Sequence, residues 1–211
     1  MIPPSSDKHG SKGLLLIISG PSGVGKGTVC RRLMEIKKNL ELSVSTTTRP
    51  PRAGEVEGRE YNFTAREQFQ KLIDKGRFLE WAEVHGQYYG TRLDRVDQAL
   101  NSGSDLILEI DTQGAEQVRA KIPDAVSIFL APPSFPELEE RIKGRGTEDR
   151  ERIIGRLKVA RKEMEAYCHY NYVVVNDRVD QAAELIAAII DVEKCRVDRG
   201  AKPPGWGGGN R

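Results

Sequence analysis

The sequence predicts an α/β fold, a parallel sheet flanked by helices, and three observations carry that reading. Short continuous apolar runs, the mark of strands buried on both faces, recur at residues 14–19, 106–110, 125–130 and 172–175. Helical periodicity fills the chain between them, most clearly at Ala182, Leu185, Ile186, Ile189 and Ile190, which share one face at spacings of three and four. A glycine-rich loop joins the first apolar run to the first helical pattern, so the order there is strand, loop, helix.

Composition bounds the rest. A chain of 211 residues holds one ordinary domain, or one core carrying small insertions. Hydrophobic residues at 38%, charged residues at 30% and a mean hydropathy of -0.52 describe a chain that folds in water. With 33 Lys and Arg against 31 Asp and Glu, the net charge of +2 gives no whole-molecule attraction to nucleic acid or to an anionic membrane. Any electrostatic site is therefore local. The apolar run at 14–18 is too short for a bilayer span or a signal-peptide core. Cys30, Cys168 and Cys195 are odd in number and far apart, which reads as thiols in a reducing compartment, with the cytoplasm as default. Together with His9, His85 and His169 they form no metal-binding pair, which argues against structural zinc. A monomer is the default state.

Taken along the chain, residues 1–12 read as a disordered segment, and the strand at 14–19 leads into Gly20-Pro21-Ser22-Gly23-Val24-Gly25-Lys26-Gly27-Thr28. A polyphosphate needs several backbone N–H groups converging on it, and glycines let the chain wrap close to its oxygens. The positive end of the following helix, with Val29, Leu33 and Ile36 on one face, then meets the anion. Lys26 adds a mobile charge for the outer phosphates. The usual motif has Ser or Thr directly after the lysine, whereas this chain has Gly27 there and its hydroxyl one place later, at Thr28. Thr28, directly or through water, is the candidate contact to Mg²⁺, and a serine restored at position 27 should be tolerated.

Residues 46–94 read as an inserted small domain of mixed α and β structure. It holds a strand at Phe78–Val84, a turn at His85 and Gly86, and a helix opened by a capping box of Thr64 and Glu67. Its proline-stiffened loop, from Ser43 through Thr46-Thr47-Thr48-Arg49-Pro50-Pro51-Arg52 to Glu55 and Tyr61, concentrates hydroxyls and two arginines. Those arginines offer planar forks to a second anion. Between Arg141 and Lys162 nine basic residues stand against three acidic ones, in a chain whose total is only +2. The last residues, 198–211, are largely Pro and Gly and read as a disordered tail.

The stretches SVSTTTRPPRAGEVEGREYNF, FLEWAEVHGQYYGT, LEIDTQG, FLAPPS and RIKGRGTED, in this order, resemble the guanylate kinase family over about residues 13–195. The resemblance implies a P-loop nucleoside monophosphate kinase with three parts. These are a core at 13–45, 95–140 and 158–197, a GMP-binding insertion at 46–94 and a short helical lid at 141–157. It implies ATP and GMP as substrates, Mg²⁺ as cofactor, and no nucleic-acid or membrane partner. Carried over residue by residue, the GMP phosphate falls to Arg49, Arg52, Tyr61 and Tyr89, with Glu55 supporting the arginine loop. The base falls to Ser45, Glu80, Thr91, Glu109 and Asp111. Guanine presents N1–H and N2 amino donors, which carboxylates accept, and an O6 acceptor for hydroxyls at Ser45 or Thr91. The family more often has Ser where Thr91 stands and Asp where Glu109 stands.

ATP falls to Gly20, Pro21, Ser22, Gly23, Val24, Gly25, Lys26, Gly27 and Thr28, with Asn176 beside the adenine. The resemblance places Arg141, Arg145 and Arg156 around the transferring phosphoryl group and counts Lys26 and Arg49 with them as catalytic. Two other readings share parts of this pattern. A kinase for AMP, UMP or dTMP would lack the carboxylate and hydroxyl set at the base. A guanylate-kinase-like module that binds phosphopeptides would be expected to have a degraded phosphate loop, whereas Lys26 and its glycines are intact.

Overall fold

A computed structural model describes residues 12–84, 86–144 and 150–201. Its first element, β1 (Leu15–Ser19), is buried along its whole length. Alternation explains why. Leu14, Leu16 and Ile18 enter one core cluster, and Leu15 and Ile17 enter the other, on the opposite face of the sheet. The chain continues through α1 (Lys26–Ile36), β2 (Leu40–Leu42), β3 (Thr46–Thr47), β4 (Asn62–Phe63), α2 (Arg66–Asp74), β5 (Phe78–Val84), β6 (Gln87–Arg92) and α3 (Leu93–Asn101). There follow β7 (Asp105–Glu109), α4 (Thr112–Lys121), β8 (Val126–Ala131), α5 (Phe135–Lys143), α6 (Arg150–Met164), β9 (Tyr172–Val175) and α7 (Val179–Lys194).

The first sheet has the order β2-β7-β1-β8-β9, with every pairing parallel. One face carries α1, α5, α6 and α7, whose Val29, Leu33, Leu138, Ile142, Ala160 and Ile186 fill the larger core cluster. The other face carries α3 and α4 through Val96, Ala99, Ala115 and Val118. A second sheet, β4-β3-β6-β5, lies wholly within residues 46–92. Its own small core forms around Phe69 of α2, which stacks on Phe78 at 4.3 Å and on Tyr88 at 5.4 Å between ring centroids.

Several sequence readings need correction. Leu185 does not share the buried face of α7; it is 51% exposed, and the small Ala183 and Ala187 lie inside instead, where α7 packs closely on α1. The capping box does not form: α2 begins at Arg66 with Ala65 as N-cap and no side-chain cap, because the Thr64 N–H is taken by the Thr47 carbonyl at 2.9 Å. β9 is not buried on both faces, since it is the edge of its sheet and leaves Val173 and Val175 half exposed. The expected tail starts late: Val197–Arg199 forms a 3-10 turn. Arg199 Nε reaches Glu193 at 2.8 Å, and that buried carboxylate also accepts from Tyr172 at 2.5 Å. The expected segment at 1–11, His85 and residues 202–211 lie outside the described residues.

The α7 correction has a direct check by chemical denaturation. Ile186→Ala should cost about 2–5 kcal/mol, because a fully buried side chain leaves a cavity. Leu185→Ala should stay within about 0.5 kcal/mol. Equal losses at the two positions would contradict the assigned face.

Candidate active site

In the parallel sheet, β1 is central, and the chain runs from it first to the β2 side and later to the β8 side. That reversal opens a crevice at the strand ends. Gly20 leaves β1 with φ 147, and a Cβ there would stand 2.2 Å from the Leu130 carbonyl oxygen. Gly25 closes the loop at φ 96 as the N-cap of α1, where a Cβ would meet Asn176 Nδ2 at 2.7 Å. Only glycine fits either place.

The loop is braced on every side. Lys26 Nζ donates to the Gly20 carbonyl at 2.7 Å and to the Pro21 carbonyl at 3.3 Å. Burial pulls the Lys26 ammonium below its ordinary pKa range, opposed by the carboxylates of Glu163, Glu109 and Asp111. The Ser22 N–H donates to Glu163 Oε2 at 3.0 Å, and Arg156 Nη2 donates to Ser22 Oγ at 3.2 Å. Asn176 Nδ2 donates to the Val24 carbonyl at 2.8 Å, so the contact seen for Asn176 is with the back of the loop. Arg141, in the last turn of α5, donates to the Asn176 carbonyl at 2.9 Å and to Glu137 at 2.7 Å. Thr28 is exposed in the first turn of α1. At Gly27 the space is already taken, since a Cβ would lie 3.3 Å from Glu109 Oε1, so a serine there requires that carboxylate to give way.

The insertion builds a second cationic site. Arg49 Nη2 donates to Glu55 Oε1 at 2.8 Å, and the Arg52 N–H donates to Glu55 Oε2 at 2.8 Å, so one carboxylate ties the two arginine positions. The Arg49 guanidinium also lies 5.3 Å from the Tyr61 ring centroid, and Tyr61 meets Tyr89 edge-on at 5.8 Å. The pairing with Glu55 and the neighbouring Tyr89 hold Arg49 firmly in its charged form. Ser45 is half-buried at the entry to β3, with its carbonyl accepting from the Asn62 N–H.

Deeper in, Glu80 on β5 is only 4% exposed and accepts from Thr91 Oγ1 at 2.6 Å. Burial pushes its pKa up to about 7, against the Thr91 hydrogen bond, while Asp111 adds to the rise. Asp111 caps α4 by accepting from the Gly114 N–H at 2.8 Å, and Gly114 leaves room for Glu80, whose Oε2 would be 2.7 Å from a Cβ there. Asp111 thus feels both Lys26 and Glu80, which links the loop to the insertion. Glu109, at the end of β7, lies on the loop side, beside Gly27 and Lys26.

Of the residues expected from the sequence, Arg145 lies outside the described residues. Glu163, Glu137 and Gly114 were missed. Gly114 stood within a quoted motif, but Glu163 and Glu137 had no signal beyond being acids on helices. The arrangement sets a glycine loop with a buried lysine, an arginine pair tied by one carboxylate, and a buried carboxylate–hydroxyl pair in one chain.

The comparisons with known proteins show the family. The guanylate kinase family model matches residues 12–193. A guanylate kinase of Caldanaerobacter subterraneus subsp. tengcongensis is 55% identical over 188 residues, 89% of this chain and 91% of its own length. One from Shouchella clausii is 52% identical over 188 residues, with 89% and 92% covered. Among solved structures, the guanylate kinase of Anaplasma phagocytophilum superposes with a TM-score of 0.74 at 36% identity, covering 90% of each chain. The SH3-kinase fragment of tight junction protein 3 shares the fold alone, with a TM-score of 0.50 at 12% identity over 90% of this chain and 61% of that one.

Glu80 makes a testable link between charge and stability. Its folded pKa of about 7 exceeds the ordinary 4.5, so its contribution is intact below about pH 4.5 and is lost as pH rises through 7. Glu80→Gln, which keeps an acceptor for Thr91, should therefore stabilise the protein at pH 8 by up to about 3 kcal/mol and hardly at all at pH 4.5. A gain independent of pH in denaturant titrations would contradict a buried, titrating Glu80.

Proposed function

The chain belongs to the guanylate kinase family, and we infer from that premise that it transfers the γ-phosphoryl group of ATP to GMP, giving ADP and GDP. It is an ATP:GMP phosphotransferase. The observation that carries the local reading is the intact phosphate loop, whose Lys26 shares the charged neighbour Asp111 with the buried Glu80–Thr91 pair.

In our assignment the GMP phosphate is held by Arg49, Arg52, Tyr61 and Tyr89, and Glu55 keeps the arginines in place. The guanine N1–H and N2 donors face the carboxylates of Glu80 and Asp111. Because the Thr91 hydroxyl hydrogen is already given to Glu80, Ser45 is the better donor to guanine O6. Adenine would leave a carboxylate facing a lone pair, at a cost of about 1–3 kcal/mol for each unsatisfied group.

The nucleophile is a GMP phosphate oxygen, ionised at neutral pH, so no general base is needed. It forms a bond to the γ-phosphorus as the bond to the β–γ bridging oxygen breaks, and ADP leaves with that electron pair. Alignment and charge neutralisation then carry the catalysis. Lys26 serves the outer phosphates, and Arg141, Arg145 and Arg156 gather around the transferring group. Closure of 141–157 over ATP excludes water that would otherwise accept the phosphoryl group.

Among the described residues no group of three or more Asp, Glu, His or Cys side chains is placed to hold a metal ion. The Thr28 hydroxyl is a hard oxygen donor on the first turn after the loop, of the kind Mg²⁺ takes. When bound, Mg²⁺ would neutralise charge on the β and γ phosphates. No helix among the described residues is long and apolar enough to cross a membrane. The free thiols of Cys30, Cys168 and Cys195 support a cytoplasmic location. We take the active species as a monomer without nucleic-acid partners.

The test is ADP release with ATP, Mg²⁺ and each of GMP, AMP, UMP and dTMP in turn. Turnover should be confined largely to GMP. Comparable rates with AMP would remove the guanine assignment, and binding without turnover would favour the interaction-module reading.

A further inference from the structure

β5, which carries Glu80, is an edge strand of the second sheet, and α4 of the core packs against it. A strand edge presents N–H and C=O groups that need partners. Side chains of α4 supply them here. Gln117 Nε2 donates to the Trp81 carbonyl at 2.8 Å and Gln117 Oε1 accepts from the Trp81 N–H at 3.3 Å, so one side-chain amide pairs with the strand as a neighbouring strand would. Lys121 Nζ donates to the Leu79 carbonyl at 2.5 Å and to the Phe78 carbonyl at 3.5 Å. The backbone is thus held on both sides of Glu80. Asp111, Gly114, Gln117 and Lys121 follow one another at spacings of three, three and four, which makes them a single stripe along α4 and its N-cap. That stripe holds the Asp111 carboxylate, the space that admits Glu80 and both ties to the Glu80 strand.

We propose that Gln117 and Lys121 are positioning residues for base recognition: by tying β5 to α4 on either side of Glu80, they set that carboxylate in register with Asp111, so that both meet the donor edge of one purine. This rests on the reading that these two carboxylates face guanine N1–H and N2. Both residues act through Glu80. The donors sit on a rigid ring, so acceptors from two different elements serve it only if those elements do not slide past each other. Two like charges held near each other also repel until the base arrives, which calls for an anchor. Lys121 adds a second effect through its charge. Burial raises the Glu80 pKa and Asp111 adds to the rise, whereas the Thr91 hydrogen bond and the Lys121 ammonium favour the charged form. The charged form is the one that offers acceptors alone.

The experiment is steady-state kinetics with GMP and ATP varied separately across neutral pH, for the parent chain, Q117M, K121M, K121R and E80Q, with melting temperatures alongside. Q117M keeps the side-chain length and loses both bonds to Trp81. Its KM for GMP should rise about tenfold, while kcat and the KM for ATP stay within about twofold of the parent. K121M should behave alike, and on acidification its KM for GMP should begin to climb at a higher pH than the parent's, because Glu80 has lost a neighbouring cation. K121R, which keeps the charge and the donors, should restore both. A lowered melting temperature in Q117M and K121M with the KM for GMP unmoved would reveal a brace without a part in recognition, and would overturn the proposal. Equal losses toward GMP and ATP would do the same, and a K121M profile matching the parent's would overturn the charge effect of Lys121. E80Q separates the proposal from its premise. If E80Q leaves the KM for GMP unchanged, the guanine reading fails and the proposal with it; if E80Q raises it while Q117M and K121M do not, the proposal alone fails. Should Q117M fail to fold, K121M and K121R, changed at an exposed residue, still decide.

Discussion

A loop that wraps a polyphosphate must turn its N–H groups inward, with no side chain in the way, and the rest of this structure is arranged around that constraint. Gly20, Gly23 and Gly25 all have positive φ, which a residue with a Cβ adopts only under strain. The loop must also sit where a strand ends and a helix begins, so β1 occupies the middle of the sheet and its neighbours end around the same crevice. β8 approaches so closely at Leu130 that Gly20 has no alternative, and Asn176, just past β9, holds Val24 from behind. The two hydrophobic cores on either face of the sheet stiffen this platform.

Charge explains the second layer of organisation. Donors in the glycine loop and in the insertion each lean on a carboxylate of the protein: Glu163 accepts from Ser22, and Glu55 accepts from Arg49 and Arg52. Lys26 meanwhile rests on the carbonyls of Gly20 and Pro21. These contacts keep buried polar groups satisfied and the loop and insertion in shape. Ser22 has a further role, because α6 grips it twice, through Glu163 and through Arg156. The basic helix α6 is thereby tied to the glycine loop after β1.

Much of this was legible in the sequence where the signal is local. The buried runs of β1, β7 and β8, the glycine loop and the hairpin around Gly86 each depend on residues adjacent in the chain. The long motifs pointed to the insertion and to Glu80, Thr91 and Asp111. The two-residue strands β3 and β4 carry too little periodicity to be seen, and their existence depends on β6. The inward face of α7 was set by what α1 could accommodate, which put alanines inside and Leu185 outside. Glu163 on Ser22 and Glu109 against Gly27 join residues far apart in the chain, and no composition or spacing rule reports such a meeting.

The central claim is that the phosphate loop is shaped by its glycines and braces, while the Lys26 charge is kept for the substrates. Desolvation makes that charge a cost to folding, offset in part by the three nearby carboxylates. The most direct test is Lys26→Met, assayed for phosphoryl transfer and for thermal unfolding on the same preparation. Turnover should fall by about 10²–10³, as when a preorganised charge-stabilising donor is removed, and the melting temperature should hold or rise. Near-normal turnover, or a protein that no longer folds, would contradict the claim.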